Sequence, residues 1–349
     1  MPATYRLILS GLGNVNRSLI EILRSQATLL HERYDIVFRV VGAADSGGAA
    51  IDQAGLDLDA LLAAKRAKHS VATLDTVGRP GMGSAALVQA VEADVLLEAT
   101  PVDLNTAQPG LDATRAALVK RMHVVIANKG PIALAYAELA SLSDIGGTNE
   151  ASRSKLRFSA CVGGFLPTIN VGWRDLRGCQ IVQIEAVLNG TTQIILRAME
   201  QGGSFAAALR DAQERGLAET DPTLDIEGWD AANKLVIFAN AVLRQPTRLD
   251  EIDVTGITRL TTSDLQAALA REHRVVLLAR ANREGERYTL SVRPTALPLD
   301  HPLARMSGDE MGIVFHTDIA GRLSLQTLER GPQPTAAAML RDLLDVVGA

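Results

Sequence analysis

The sequence predicts an α/β protein, built from a Rossmann-type doubly wound parallel sheet and an α+β domain with a mixed sheet. Three observations carry that expectation. Apolar runs at residues 5–10, 35–44, 94–99 and 123–127 alternate with helical patterns, the signature of a parallel sheet. The first run ends in Gly11-Leu12-Gly13-Asn14-Val15-Asn16 and passes straight into a helix pattern carrying Leu19, Ile20, Ile22 and Leu23. Later runs at residues 274–281, 288–292, 312–317 and 323–327 succeed one another as an antiparallel set does.

A chain of 349 residues has room for two full cores, and 47% hydrophobic with 21% charged residues describes an ordinary globular protein. The net charge of −5, with no basic run beyond KRAK at residues 65–68, excludes a nucleic-acid or anionic-membrane partner. Cys161 and Cys179 are the only cysteines, too few for a disulfide framework. The apolar start is short and broken by Gly11 and Gly13, and no run approaches the roughly 20 residues that span a bilayer. A cytoplasmic protein is expected.

In a strand–glycine turn–helix context, Gly11 permits the tight turn and Gly13 lets backbone N–H groups approach a pyrophosphate. Asn16 stands where the third glycine of that fingerprint would be. Asp45 closes the second strand, where an acid can bind both ribose hydroxyls and disfavour a 2′-phosphate, a lean to NAD over NADP. The other reading of Asp45 is an ordinary turn residue. Residues 47–83 read as an insertion with a flexible glycine–alanine stretch and one helix near 58–68. The strand at 94–99 ends in Thr100-Pro101, and that at 123–127 in Asn128-Lys129-Gly130-Pro131. Ligands sit beyond the carboxyl ends of such strands, so Lys129 is either a ligand contact or a surface lysine. The polar stretch GGTNEASRS at 146–154 marks the domain boundary. Strands are expected at 156–161 and 180–188, the latter ending in Asn189-Gly190-Thr191-Thr192. The threonine hydroxyls suit helix capping as well as ligand binding.

The stretch ETDPTLDIEGWDAANKLVIFANAVL at 219–243 holds the most informative chemistry. From Trp229 it reads as a helix with a broad apolar face (Ala231, Leu235, Phe238, Ala239, Val242, Leu243) and one narrow polar stripe, Asp230, Asn233 and Lys234. An i,i+4 ion pair accounts for Asp230 and Lys234 by itself. The acids Glu219, Asp221 and Asp225 in the preceding loop suggest instead a polar pocket that tunes a lysine for proton transfer.

Taken in order, these segments resemble homoserine dehydrogenase over nearly the whole chain. The resemblance rests on GLGNVNRSL at 11–19, ATP at 99–101, ANKGP at 127–131, VGGFLPTIN at 162–170, LNGTT at 188–192 and, most specifically, GLAETDPTLDIEGWDAANKL at 216–235. It implies the short, stand-alone form of an enzyme that interconverts L-aspartate 4-semialdehyde and L-homoserine with NAD or NADP. It further implies Lys234 as the acid, Asp230 as its orienting partner, and Lys129 between nicotinamide and substrate. Glu219, Asp225, Thr191 and Gly190 would bind substrate. Gly11, Leu12, Gly13, Asn14, Val15, Thr100, Pro101 and Gly331 would line the cofactor with Asp45. Carbonyl oxygens of Val162 and Gly164 would hold Na+ or K+. The expected domains are a nucleotide-binding one at 1–148, rejoined by a final helix at 335–349, and a substrate and dimerisation domain at 152–330. A homodimer is implied. Four positions depart from the family pattern: Asn16, Ser159 in place of a glutamate, and Glu329-Arg330 in place of small residues. Two other readings fit the same residues: a relative acting on another amino-aldehyde or oxo acid, and a silent cofactor-binding sensor.

Overall fold

The computed structural model describes residues 2–67, 69–145, 154–215, 218 and 220–349. The chain forms two compact units, 1–161 with 331–349, and 162–330.

The first unit runs β1 (Ala3–Ser10), α1 (Asn14–Ser25), α2 (Ala27–Tyr34), β2 (Ile36–Asp45), β3 (Gly48–Ile51), α3 (Leu58–Arg66), β4 (Gly78–Pro80), α4 (Ser84–Ala90), β5 (Val95–Glu98), α5 (Gly110–Val119), β6 (His123–Ile126), α6 (Lys129–Leu142) and β7 (Leu156–Arg157). The sheet order is β4-β3-β2-β1-β5-β6-β7. Strands β2, β1, β5, β6 and β7 pair in parallel, and β3 and β4 add antiparallel at one edge. The chain leaves β1 toward β2 and returns to β5 on the other side, so the order reverses between β1 and β5. Leu7, Ile8 and Leu9 of β1 are fully buried, as a central strand covered on both faces requires.

Two expectations change here. Residues 48–51, read as a flexible stretch, form β3, with Ala49 and Ala50 fully buried. Their small side chains hid a strand from any test based on bulk. The unit boundary lies at 161/162 rather than near 150. The strand expected at 156–161 is only β7, whose Leu156 pairs with Val124 of β6, and it therefore closes the first sheet. The polar residues 146–153 lie outside the described residues.

In the second unit, a short turn α7 (Thr168–Asn170) precedes β8 (Ile181–Val187), α8 (Gly190–Glu200), α9 (Phe205–Glu214), α10 (Thr223–Ile226) and α11 (Trp229–Ala241). Then come β9 (Asp253–Val254), α12 (Thr262–Leu269), β10 (His273–Glu284), β11 (Arg287–Pro298), β12 (Glu310–Thr317) and β13 (Arg322–Leu328). Its sheet order is β13-β12-β8-β10-β11-β9. All pairs are antiparallel except β11 with β9, which makes the sheet mixed. The ring of Phe238 on α11 meets that of Phe315 on β12 at 6.0 Å, so the apolar helix face covers the sheet.

The last helix, α13 (Gln333–Val347), rejoins the first unit. Met339 and Leu343 share a core cluster with Leu19 and Ile20 of α1. Its buried acid Asp342 accepts from the Ser159 backbone N–H at 2.8 Å and the Ser159 hydroxyl at 2.7 Å, and Arg341 donates to that hydroxyl at 2.9 Å. Ser159, a departure from the family pattern, is thereby the anchor of α13. Among the described residues, no helix is long and apolar enough to cross a membrane.

Changing Asp342 to Ala leaves the Ser159 donors buried without their acceptor. The expected loss is about 3 kcal/mol of unfolding free energy, read as a lowered urea midpoint. An unchanged midpoint would show that α13 is held by apolar packing alone.

Candidate active site

Helix α11 begins at Gly228, whose φ of +89° places it in the left-handed region, and a Cβ there would meet Val254 and Val292 at 3.3 and 3.4 Å. No glycine or proline follows until the helix has ended, and four alanines favour it. Ten of its thirteen residues are buried, including Asp230 and Asn233. The Lys234 ammonium donates to Asp230 Oδ2 at 2.7 Å and to the carbonyl oxygen of Leu188 at 2.5 Å. Their side chains are only 14% and 9% exposed. This is a buried ion pair, for which loss of one partner costs about 3–5 kcal/mol, not an exposed i,i+4 pair worth a few tenths.

Asn189, just past the end of β8, joins the rest. Its Nδ2 donates to Asp225 Oδ1 at 2.7 Å and to Asp230 Oδ2 at 2.9 Å, and its Oδ1 accepts the Thr192 N–H at 2.9 Å, capping α8. The cap is thus Asn189 rather than a threonine. The Thr191 hydroxyl bonds Asp225, whose ionisation is pushed up by burial and then by the Asp230 charge. A Cβ on Gly190 would meet nothing within 4 Å, so bare backbone is exposed beside these acids. Asp225, Asp230, Lys234, Thr191 and Gly190 therefore come together. Asp221 does not: it is exposed and turned back on the Thr223 N–H. Glu219 lies outside the described residues.

In the first unit the glycine turn sits where the strand order reverses. Gly11 has φ +79°, and a Cβ there would lie 2.7 Å from Thr100, so glycine is required for the turn to pack on the end of β5. At Gly13 a Cβ would meet nothing, and no side chain caps α1 and no acid lies in its first turn. A bare, uncapped helix N-terminus suits a pyrophosphate. Leu12 is buried while Asn14 is exposed. Asn14 lines a cleft of about 180 Å³ with Arg17, Ser18, Glu21, Leu62, Arg66 and Pro332, which follows Gly331. Asn16 is fully buried and its Nδ2 donates to the carbonyl oxygens of Ser10, Gly11 and Leu97 at 3.1, 2.8 and 3.3 Å. Where a third glycine would permit close packing, this amide ties the turn to β1 and β5.

Asp45 is also more committed than expected. Its carboxylate accepts from Lys65 Nζ at 2.7 Å, the Ser70 hydroxyl at 2.6 Å, and the N–H groups of Gly47 and Val71 at 2.9 and 3.1 Å. Burial pushes its ionisation up, but these bonds outweigh it and hold it below the usual range. With four acceptor positions filled, it is not open to two ribose hydroxyls without rearrangement. Lys129 is the half-buried first residue of α6, which Asn128 caps through the Gly130 N–H at 3.0 Å.

The family model described as homoserine dehydrogenase matches residues 167–344. A homoserine dehydrogenase of Methanocaldococcus jannaschii is 36% identical over 97% of this chain and 98% of its own. The chain belongs to the homoserine dehydrogenase family. It is an oxidoreductase of that kind. An NAD(+)-dependent homoserine dehydrogenase of Pseudomonas canavaninivorans is 32% identical, covering 98% of this chain and 96% of its own. The solved structure of a hyperthermophilic archaeal homoserine dehydrogenase in complex with NADPH superposes with a TM-score of 0.82 at 25% identity, covering 99% and 98%.

Within the family pattern, Glu329 and Arg330 are the remaining departure, and both are engaged in the second unit. Glu329 Oε1 accepts the Phe165 N–H at 2.6 Å, and Arg330 pairs with Asp309. The carboxylate of Glu329 lies so close that a Cβ on Gly164 would meet it at 2.5 Å. The Val162 carbonyl oxygen accepts the Thr168 hydroxyl at 2.8 Å. Sequence reasoning missed Asn189 as the hub. The signal available was an asparagine directly before the helix-opening glycine, a capping residue by type.

Changing Asn189 to Ala removes the cap and the donor between two carboxylates. The expected loss is about 1–3 kcal/mol, larger at pH 7 than at pH 4, because the acids repel only when ionised. Urea unfolding at both pH values checks this, and an equal loss at both would remove the electrostatic part.

Proposed function

We propose that the protein interconverts L-aspartate 4-semialdehyde and L-homoserine, with Lys234 as the proton donor and acceptor at the substrate oxygen. The observation that carries this is the Lys234 ammonium, held on two sides by Asp230 and the Leu188 carbonyl inside an apolar helix. An ammonium has three donors, and the third suits a substrate oxygen. In reduction, Lys234 gives its proton to the oxygen of the former aldehyde as the alcohol forms. In oxidation it takes the hydroxyl proton. Asp230 keeps the amine aligned through both. Asp225, with Thr191 and the bare backbone at Gly190, offers negative charge and donors to a zwitterionic amino acid, and Glu219 would add a second acid. Acids at Glu219 and Asp225 support an ammonium-bearing substrate over an oxo acid, and the family match supports the four-carbon amino-aldehyde over another.

A nicotinamide dinucleotide, when bound, supplies or accepts the hydride. Gly11, Leu12, Gly13, Asn14 and Val15 would hold its pyrophosphate, with Thr100, Pro101, Lys129 and Gly331 lining the remainder. Asp45 favours NAD: with its ion pair closed, Lys65 is not offered to a 2′-phosphate. Val162 and Gly164 would hold a monovalent cation through their carbonyl oxygens, next to the Glu329 carboxylate. The long antiparallel strands β10 and β11 support a homodimer, and two free cysteines suit a reducing cytoplasm.

Nicotinamide absorbance with L-homoserine, run in parallel with NAD and NADP, is expected to report reduction. Lys234→Ala is expected to lower turnover by roughly two to four orders of magnitude with dinucleotide binding retained. Near-normal turnover in that variant would overturn the assignment of the acid. No turnover in wild type that still binds dinucleotide would favour a sensor.

Asp45→Asn frees Lys65 and is expected to raise the NADP-to-NAD affinity ratio several-fold. Equal changes in the two dissociation constants would remove the argument for NAD.

A further inference from the structure

Glu98 closes β5 and is fully buried. It accepts the Thr100 N–H at 2.9 Å and the Thr100 hydroxyl on Oε1, and the Asn128 amide lies beside it. Asn128 Nδ2 also reaches Thr100 Oγ1 at 3.0 Å and the Pro101 carbonyl oxygen at 3.3 Å, while its Oδ1 caps α6. One carboxyl thus joins the end of β5, the 100–101 turn and the start of α6. Its second oxygen, Oε2, is buried with no hydrogen-bond partner among the described residues. It faces the start of α5, where a Cβ on Gly110 would stand 3.0 Å away.

A purely structural role does not call for an acid. Glutamine would accept the same donors without a buried charge, which is costly when part of it is unpaired. A local rule broken without local gain points to function. We propose that Glu98 is a positioning residue for the nicotinamide dinucleotide: in its ionised form it sets the Thr100–Pro101 turn and the start of α6, with Lys129, to receive it. The inference rests on the reading that this unit binds the dinucleotide at those residues.

The ionisation of Glu98 is raised to about 7 by burial, against the opposing pull of Thr100 and Asn128. The unfolded carboxyl ionises at its ordinary value of 4.5. Ionisation of the folded group therefore costs stability as pH rises from that value toward neutrality. The ionisable group coupled to it is the Cys161 thiol, on which Lys129 of α6 and Asp342 of α13 also act. Burial, then the charges of Glu98 and Asp342, push the thiol well above its ordinary range, so it stays neutral. Its sheet neighbours on β1 and β6, Ser10 and Ile126, carry no charge.

Hydrogen bonds to a carboxylate are stronger than those to a neutral acid. Fixing Thr100 and Asn128 around the dinucleotide therefore favours the ionised form and expels part of a proton near neutral pH. By linkage, affinity should rise about 2.5- to 5-fold from pH 6 to pH 8, the effect of moving the ionisation down by half to one unit from about 7.

The test compares wild type and Glu98→Gln, using whichever of NAD or NADP the wild type binds tighter. Calorimetry in buffers of different ionisation enthalpy reads proton release, and steady-state kinetics with L-homoserine reads KM and kcat. Any titration of the dinucleotide itself is common to both proteins and cancels. The expected result is proton release and a pH-dependent affinity in wild type, both lost in Glu98→Gln. The dinucleotide KM should rise several-fold in the variant while the homoserine KM holds. The same release and pH profile in both proteins would overturn the role of Glu98 while leaving the activity intact. Wild type that binds no dinucleotide would instead overturn the reading beneath it. Should the variant not fold, carbon-13 NMR of glutamate-labelled wild type decides. A carboxyl titrating near pH 7 and moving lower with dinucleotide supports the proposal, and its absence overturns it.

Discussion

The second unit is organised by the demand that a charged lysine makes on the apolar helix that carries it. The core cannot solvate an ammonium, so every group that can must be brought to it. Asp230 comes from the previous turn of the same helix, and the Leu188 carbonyl comes from the end of β8. Bringing Asp230 inside creates a second problem, because Asp225 lies close and carries the same charge. Asn189 answers it with an amide that donates to both acids. That asparagine can do so only because the strand before it and the helix after it hold it at one place. The sheet, the cap and the loop are therefore read best as consequences of one buried cation.

The first unit repeats the pattern with different residues. Buried polar side chains stand at the carboxyl ends of the strands: Asn16 against β1 and β5, Glu98 at the end of β5, and Asn128 after β6. Each binds backbone groups where the sheet stops. The outcome is a rigid rim beneath an uncapped helix N-terminus. A helix N-terminus left without a cap has to be fixed from below, since its own donors stay unpaired.

Much of this was legible in the sequence, and the reasons are local. Apolar alternation marked the parallel strands, and the stripe of Asp230, Asn233 and Lys234 marked the polar face of α11. What stayed hidden depends on partners distant in sequence. Asp45 reads as a ribose ligand until Lys65 and Ser70, from residues taken as an insertion, fill its carboxylate. Ser159 reads as a lost glutamate until Asp342 arrives from the last helix. Asn16 reads as a missing glycine until its amide is seen to bind the carbonyls of Ser10, Gly11 and Leu97. The strand β3 escaped because alanine and glycine carry too little apolar surface to produce a pattern.

The first unit is discontinuous: residues 162–330 interrupt it, and α13 completes its core. On a ribosome this imposes an order of assembly. The interrupting unit has all its strands in hand before the last helix is made. The first sheet must wait with one flank uncovered, its Ser159 donors without an acid, until α13 emerges. A chain broken off anywhere before α13 is therefore left with exposed apolar surface on its first sheet, a form that quality-control proteases and chaperones can recognise. The late helix makes synthesis through α13 a condition for a finished first unit.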